Sequence, residues 1–81
     1  MKLLVRNLAR HTTEATVREL FTEFGHVETC VVVIDPATKQ SKGFGFVEMP
    51  NPANAVTAMK RLNTKRIDGS VIRVKEAQDA S

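Results

Sequence analysis

Lys42-Gly43-Phe44-Gly45-Phe46-Val47-Glu48-Met49 alternates like a β-strand, and its alternation decides the fold. Successive side chains of a strand point to opposite faces, so Phe44, Phe46 and Glu48 share one face and Gly45, Val47 and Met49 the other. The second set suits a core. The first set places two aromatic rings two residues apart on the face turned to solvent, where a folded domain rarely leaves such rings without a use. Flat rings on a sheet suit an unstacked nucleobase, because every base has a π face. Lys42 adds a cation at the entrance of the strand.

Working outward, Lys2–Arg6 reads as a short strand with Leu3 and Val5 on one face and Lys2, Leu4 and Arg6 on the other. A helix is expected near residues 13–24. Thr13 is its N-cap and Glu14 lies in its first turn, while Val17, Leu20, Phe21 and Phe24 form one apolar stripe and Gly25 follows directly on the helix end as C′. Val27–Ile34 is β-branched and predicts a second strand. Asp35 to Ser41 is rich in turn residues, and Gly43–Met49 is the third strand. Asn51 and Pro52 open a second helix near residues 52–62, with Ala55, Ala58, Met59 and Leu62 as its buried face. A loop through Asp68-Gly69 leads to a last strand, Val71–Lys75, and a polar tail.

The order is strand, helix, strand, strand, helix, strand. Two amphipathic helices can bury their stripes on one side of a four-stranded antiparallel sheet, an α+β, ferredoxin-like β-α-β-β-α-β sandwich. Leu3, Val5, Cys30, Val32, Val47, Ile72 and Val74 then face the helices. Alternation turns Lys2, Leu4, Arg6, Val31, Val33, Phe44, Phe46, Glu48, Arg73 and Lys75 to the open face, with an apolar middle and cations expected on the outer strands. The run Val31-Val32-Val33-Ile34 does not alternate, so Val31 and Val33 suit either a base or a protein surface.

With 81 residues there is room for one domain with a modest core. A net charge of +3 fits a polyanionic partner without requiring one. One cysteine, Cys30, excludes an internal disulfide and a multi-cysteine metal site, which suggests a reducing compartment and hence the cytoplasm. No apolar run approaches the ~20 residues of a membrane span. His11 and His26 have no partner at metal or catalytic spacing, and no nucleophile-and-base pair or cofactor motif is present, so neither an enzyme nor a cofactor is expected. Lys60, Arg61, Lys65 and Arg66 cluster at the end of the second helix, where cations complement the helix dipole.

The octapeptide resembles the longer signature of the RNA recognition motif family, matching it at every position but the last, where Met49 replaces an aromatic. Leu3-Leu4-Val5-Arg6-Asn7-Leu8 is similar to the family's shorter motif, and the resemblance runs from Lys2 to Ala77. It implies a domain over residues 1–77 with a short polar tail at 78–81, and the small size resembles the stand-alone bacterial members. It implies that Phe46 stacks one base, that Phe44 wedges against sugars, and that Leu4 occupies a place usually held by a second stacking ring. Arg6 replaces a small residue and offers a guanidinium plane for stacking, while Lys39 stands where the loop usually has glycine, so that turn is expected to be strained.

The RNA-binding set is therefore Phe44, Phe46, Leu4, Arg6, Lys2, Lys42, Arg73, Lys75, Val33 and Asn7. The partner implied is single-stranded RNA, with single-stranded DNA open because no reader of the 2′-hydroxyl is identifiable. A monomer is expected. A protein-interaction module using the same apolar face, or the helices, is the alternative.

Overall fold

The computed structural model describes residues 1–77. Helix α1 (Glu14–Thr22) starts where expected: the Thr13 hydroxyl accepts the Thr16 N–H at 3.2 Å. Helix α2 (Pro52–Leu62) has proline in its first turn, and the Asn51 side-chain carbonyl accepts the N–H groups of Ala53 and Asn54 at 2.9 and 3.3 Å. Val17 and Phe21 are the buried part of the α1 stripe, with Leu20 and Phe24 packed at its margin. Ala55, Ala58 and Leu62 are buried on α2, with Met59 beside them. Gly25 lies two residues past the C-cap residue Glu23 rather than directly after it, and a Cβ there would run into the Asn54 side chain, so it lets the turn after α1 pack close to Asn54 of α2.

The main sheet holds β1 (Lys2–Arg6), β2 (Thr29–Ile34), β3 (Ser41–Glu48) and β6 (Arg73–Glu76) in the spatial order β2-β3-β1-β6. All three of its pairings are antiparallel. Helix α1 lies against β2, and α2 against β1 and β6. Leu3, Val5, Cys30, Val32, Val47, Ile72 and Val74 are all buried under the helices, as alternation requires. Met49, just past β3, is buried with them. The fold is the ferredoxin-like α+β sandwich that the order of elements predicts.

Between α2 and β6 stands a hairpin of two very short strands, β4 (Arg66–Ile67) and β5 (Ser70–Val71), where only a loop is expected from the sequence. Its central residues Asp68 and Gly69 have φ of 51° and 85°, the paired positive values of a type I′ turn. Val71 belongs to this hairpin, and the last strand begins at Arg73 and extends to Glu76. Ile72 bridges the two: its N–H donates to the Lys65 carbonyl at 2.9 Å and its carbonyl accepts the Thr64 N–H at 2.8 Å. The Asn63 side-chain carbonyl accepts the Val74 N–H at 3.0 Å, so this part of the outer edge of β6 is occupied. Strand β2 begins at Thr29, two residues later than expected, and β3 at Ser41, two residues earlier. The tail expected at 78–81 lies outside the described residues.

Candidate nucleic-acid interface

The strand order brings the predicted residues into rows across the uncovered face. Val31, Phe46, Leu4 and Lys75 are successive cross-strand partners from β2 to β6. Phe44, Arg6 and Arg73 form the next row, and Thr29, Glu48 and Lys2 the row on the other side. Phe44, Phe46 and Leu4 are half-buried, held by neighbours on the sheet, and among the described residues no other element covers them.

The two rings have centroids 6.2 Å apart and planes at 88°, an edge-to-face pair. They therefore cannot present parallel faces to two bases. Phe46 suits a stack and Phe44 a contact at right angles to it, against a sugar or a base edge. The Lys2 ammonium lies 4.7 Å from the centroid of Phe46, a cation–π contact worth ~0.5–1 kcal/mol at an exposed site. A base stacking on that side of the ring displaces the ammonium, which is then available to a phosphate.

The cations are not on both outer strands, as the sequence suggests. Because β1 sits inside the sheet, Arg6 meets Arg73 directly on β6, and the positive charge gathers on the β1–β6 half. The other edge, β2, is apolar: Val31 and Ile34 are 44% and 51% exposed. Glu48 is the only carboxylate in these rows, and it lies beside Lys2 at the far end from Arg6 and Arg73. Like charges facing each other across an antiparallel pair are destabilising by themselves, and an anion between them removes the penalty.

Lys42 departs from simple alternation. The β2–β3 register shifts between Val32 and Ile34, so β3 is bulged around Lys42, Gly43 and Phe44 opposite the half-buried Val33. Gly43 has φ of 85°, and its carbonyl accepts the Leu8 N–H at 2.8 Å. The bulge thus docks on the loop after β1 and leaves Lys42 exposed beside Arg6. Asn7, also at positive φ (60°), donates its side-chain amide to the Val71 carbonyl at 2.7 Å. That bond ties Asn7 to the hairpin and leaves its side-chain oxygen as the group available to a ligand. Arg6, Asn7, Asn63, Arg73 and Lys75 line an open depression of about 400 Å³ at the β6 edge.

Other ionisable candidates lie elsewhere. Cys30 is buried and its thiol points at the Glu14 carbonyl, 3.6 Å away. Burial pushes the thiol above its ordinary value, the Glu14 charge adds to this, and Arg18 offsets part of it. Among the described residues no cluster of His, Cys, Asp or Glu could hold a metal ion, and no helix is long and apolar enough to cross a membrane.

Sequence reasoning passed over Arg10. It lies in the loop after β1, where alternation carries no information, and only the bulge in β3 brings it beside Lys42 and Phe44.

Comparison with known proteins agrees with this geometry. The crystal structure of an RNA-binding protein, PG1, superposes with a TM-score of 0.94 at 33% identity, covering 100% of this chain and 98% of that one. RNA recognition domains 1 and 2 of Sex-lethal from Drosophila melanogaster match with a TM-score of 0.90 at 27% identity, over 96% of this chain and 50% of that one. A complex of the Sxl-lethal protein with RNA matches with a TM-score of 0.92 at 26% identity, over 99% and 48%. The sequence profile of the RNA recognition motif matches residues 3–73, from β1 through both helices to the start of β6, and the chain belongs to the RNA recognition motif family.

Proposed function

We propose that this domain binds single-stranded RNA through the open face of its sheet and carries no chemistry of its own. The observation that carries this reading is the pair Phe44 and Phe46, half-buried on the sheet face opposite the two described helices, with Arg6 directly across from Phe44. Bases stack on Phe46, with Leu4 and Val31 extending the apolar surface on either side. Phe44 meets the sugar, and Val33 borders it at the bulge. Arg6, Arg73, Lys75, Lys42 and Lys2 meet phosphates or flanking bases, and the Asn7 side-chain oxygen accepts from a base edge. Membership of the family and the RNA-bound Sxl-lethal structure support this reading.

The domain extends over residues 1–77 and acts as a monomer in the cytoplasm. The lone, buried Cys30 supports the compartment.

Phe44→Ala and Phe46→Ala should each weaken binding to short single-stranded RNA by ~1–3 kcal/mol, read by fluorescence anisotropy, while circular dichroism shows the domain still folded. Full affinity in both variants would remove the sheet face as the site. The exposed Val31 and Ile34 on the edge strand β2 favour a second reading, in which the sheet holds a protein partner. Weak salt dependence and no competition by single-stranded RNA would favour that partner.

A further inference from the structure

Beside Phe44 lies an open pocket of about 280 Å³ lined by Arg6, Asn7, Leu8, Arg10, Lys42 and Gly43. Three of these residues are cations and none is an acid. Arg10 is held in place: its Nη1 donates to the Ser41 carbonyl at 3.1 Å, which leaves the rest of its guanidinium for a ligand. The bulge glycine lies close to the loop after β1: a Cβ on Gly43 would stand 3.2 Å from the Leu8 carbonyl oxygen and in ordinary contact, at 4.0 Å, with the Arg10 Nε. Gly43 is itself fixed, its N–H donating to the Ser41 hydroxyl at 3.0 Å and its carbonyl accepting the Leu8 N–H at 2.8 Å. The cations are thus assembled by the bulge and by the loop after β1, with nothing negative among the lining groups. An anion is the group that relieves their mutual repulsion, and an oriented guanidinium fork suits phosphate oxygens.

We infer that this pocket is a phosphate-binding site, with Arg10 as its anchored ligand and Arg6 and Lys42 closing it. The inference rests on the RNA-binding reading, since the pocket adjoins Phe44 and would hold the phosphate of the nucleotide resting there. The phosphate is either an internal phosphodiester or the terminal phosphate of a strand whose end stops at Phe44. Glu48 at the opposite end of the face, paired with Lys2, weakens the hold of that end on a phosphate, so the strand is positioned chiefly by this end of the sheet.

The test uses the full chain and oligouridine and random-sequence single-stranded RNAs of eight nucleotides, each with a 5′-hydroxyl or a 5′-phosphate. Arg10→Gln should lower affinity about tenfold, as expected for a lost charged hydrogen bond, and flatten the log-affinity against log-salt slope by ~0.7. Arg10→Lys keeps the charge but not the fork, and should retain the slope with an intermediate affinity. A preference of the wild type for the 5′-phosphate that Arg10→Gln abolishes identifies a terminal phosphate. An equal loss on both RNAs identifies an internal one. Wild-type affinity and slope in Arg10→Gln, with Phe46→Ala still damaging, would overturn the pocket and leave the RNA face standing. No effect of either variant would remove both.

Discussion

Gly45→Ala should be among the most damaging single-methyl changes in this domain. Gly45 is buried in β3 between the two rings, paired with Val32 of β2. A Cβ built there lies 3.1 Å from the Val32 Cα and 3.2 Å from the Val31 carbonyl carbon, and deeper still inside contact of the Val31 carbonyl oxygen. Ordinary carbon contacts are ~3.5–4.0 Å, and every obstructing atom belongs to the backbone of the adjacent strand, so no rotamer relieves the clash. The strands must part locally. Overpacking costs ~1–3 kcal/mol and a weakened ladder bond about 1 kcal/mol more, while alanine recovers roughly 0.5 kcal/mol of chain entropy. The net loss is ~1.5–3.5 kcal/mol, against a total of ~4–12 kcal/mol for a domain of this size. That corresponds to a fall in Tm of roughly 6–28 °C. The chain has no tryptophan or tyrosine, so urea unfolding followed by far-UV circular dichroism is the suitable assay. Gly69→Ala is the control, because its Cβ would meet no atom within 4 Å and it loses only the ease of a φ of 85°. A loss below ~1 kcal/mol for Gly45→Ala would refute the close approach of β2 and β3 at this point. Any Gly45→Ala protein that survives folded should also bind RNA more weakly, since both rings flank the displaced residue.

Leu4→Phe, next to Phe46 in the central row, should tighten RNA binding by an amount at the low end of ~1–3 kcal/mol; isothermal titration showing no gain would mean that Arg6 or Val33 already fills that place. Arg73→Ala should weaken binding and lower the salt slope by ~0.7, whereas Lys60→Ala combined with Arg61→Ala, in the last turn of α2, should change both far less; the reverse order in a salt titration would put the anion on the helices. Lys39 has φ of 60°, as the glycine usual at its place would predict, so Lys39→Gly should stabilise the domain by ~0.5–1 kcal/mol in urea unfolding, the relief of the left-handed backbone less the entropy of glycine.

Most of the fold is legible in the sequence because its signals are long or local. The caps Thr13 and Asn51, the proline at the start of α2 and the alternation of Val47 with Phe46 each work within a few residues. What escapes is short or depends on register. Strands β4 and β5 are two residues each, too brief for any period, although Asp68-Gly69 is itself the signature of a tight hairpin. Alternation assigns a side chain to a face but not to a neighbour. It therefore finds Arg6 and Arg73 on the open face without showing that they meet across adjacent strands. The bulge around Gly43 lies beyond periodicity altogether, and with it the placing of Lys42 and the approach of Arg10.

The position of β1 bears on how the domain is made. It is the first strand of this domain in chain order, yet its two partners are β3 and β6, and Leu3 within it pairs with a residue as distant in sequence as Glu76. A nascent chain that has completed both helices still carries a bare edge on its central strand. Closing that edge requires the last strand, and ordering such distant contacts is the slow part of folding. Arg73 and Lys75 arrive with that closing strand, so the ligand face and the finished sheet come into being together. A ribosome-bound chain should hold no RNA on this face until β6 has cleared the exit tunnel.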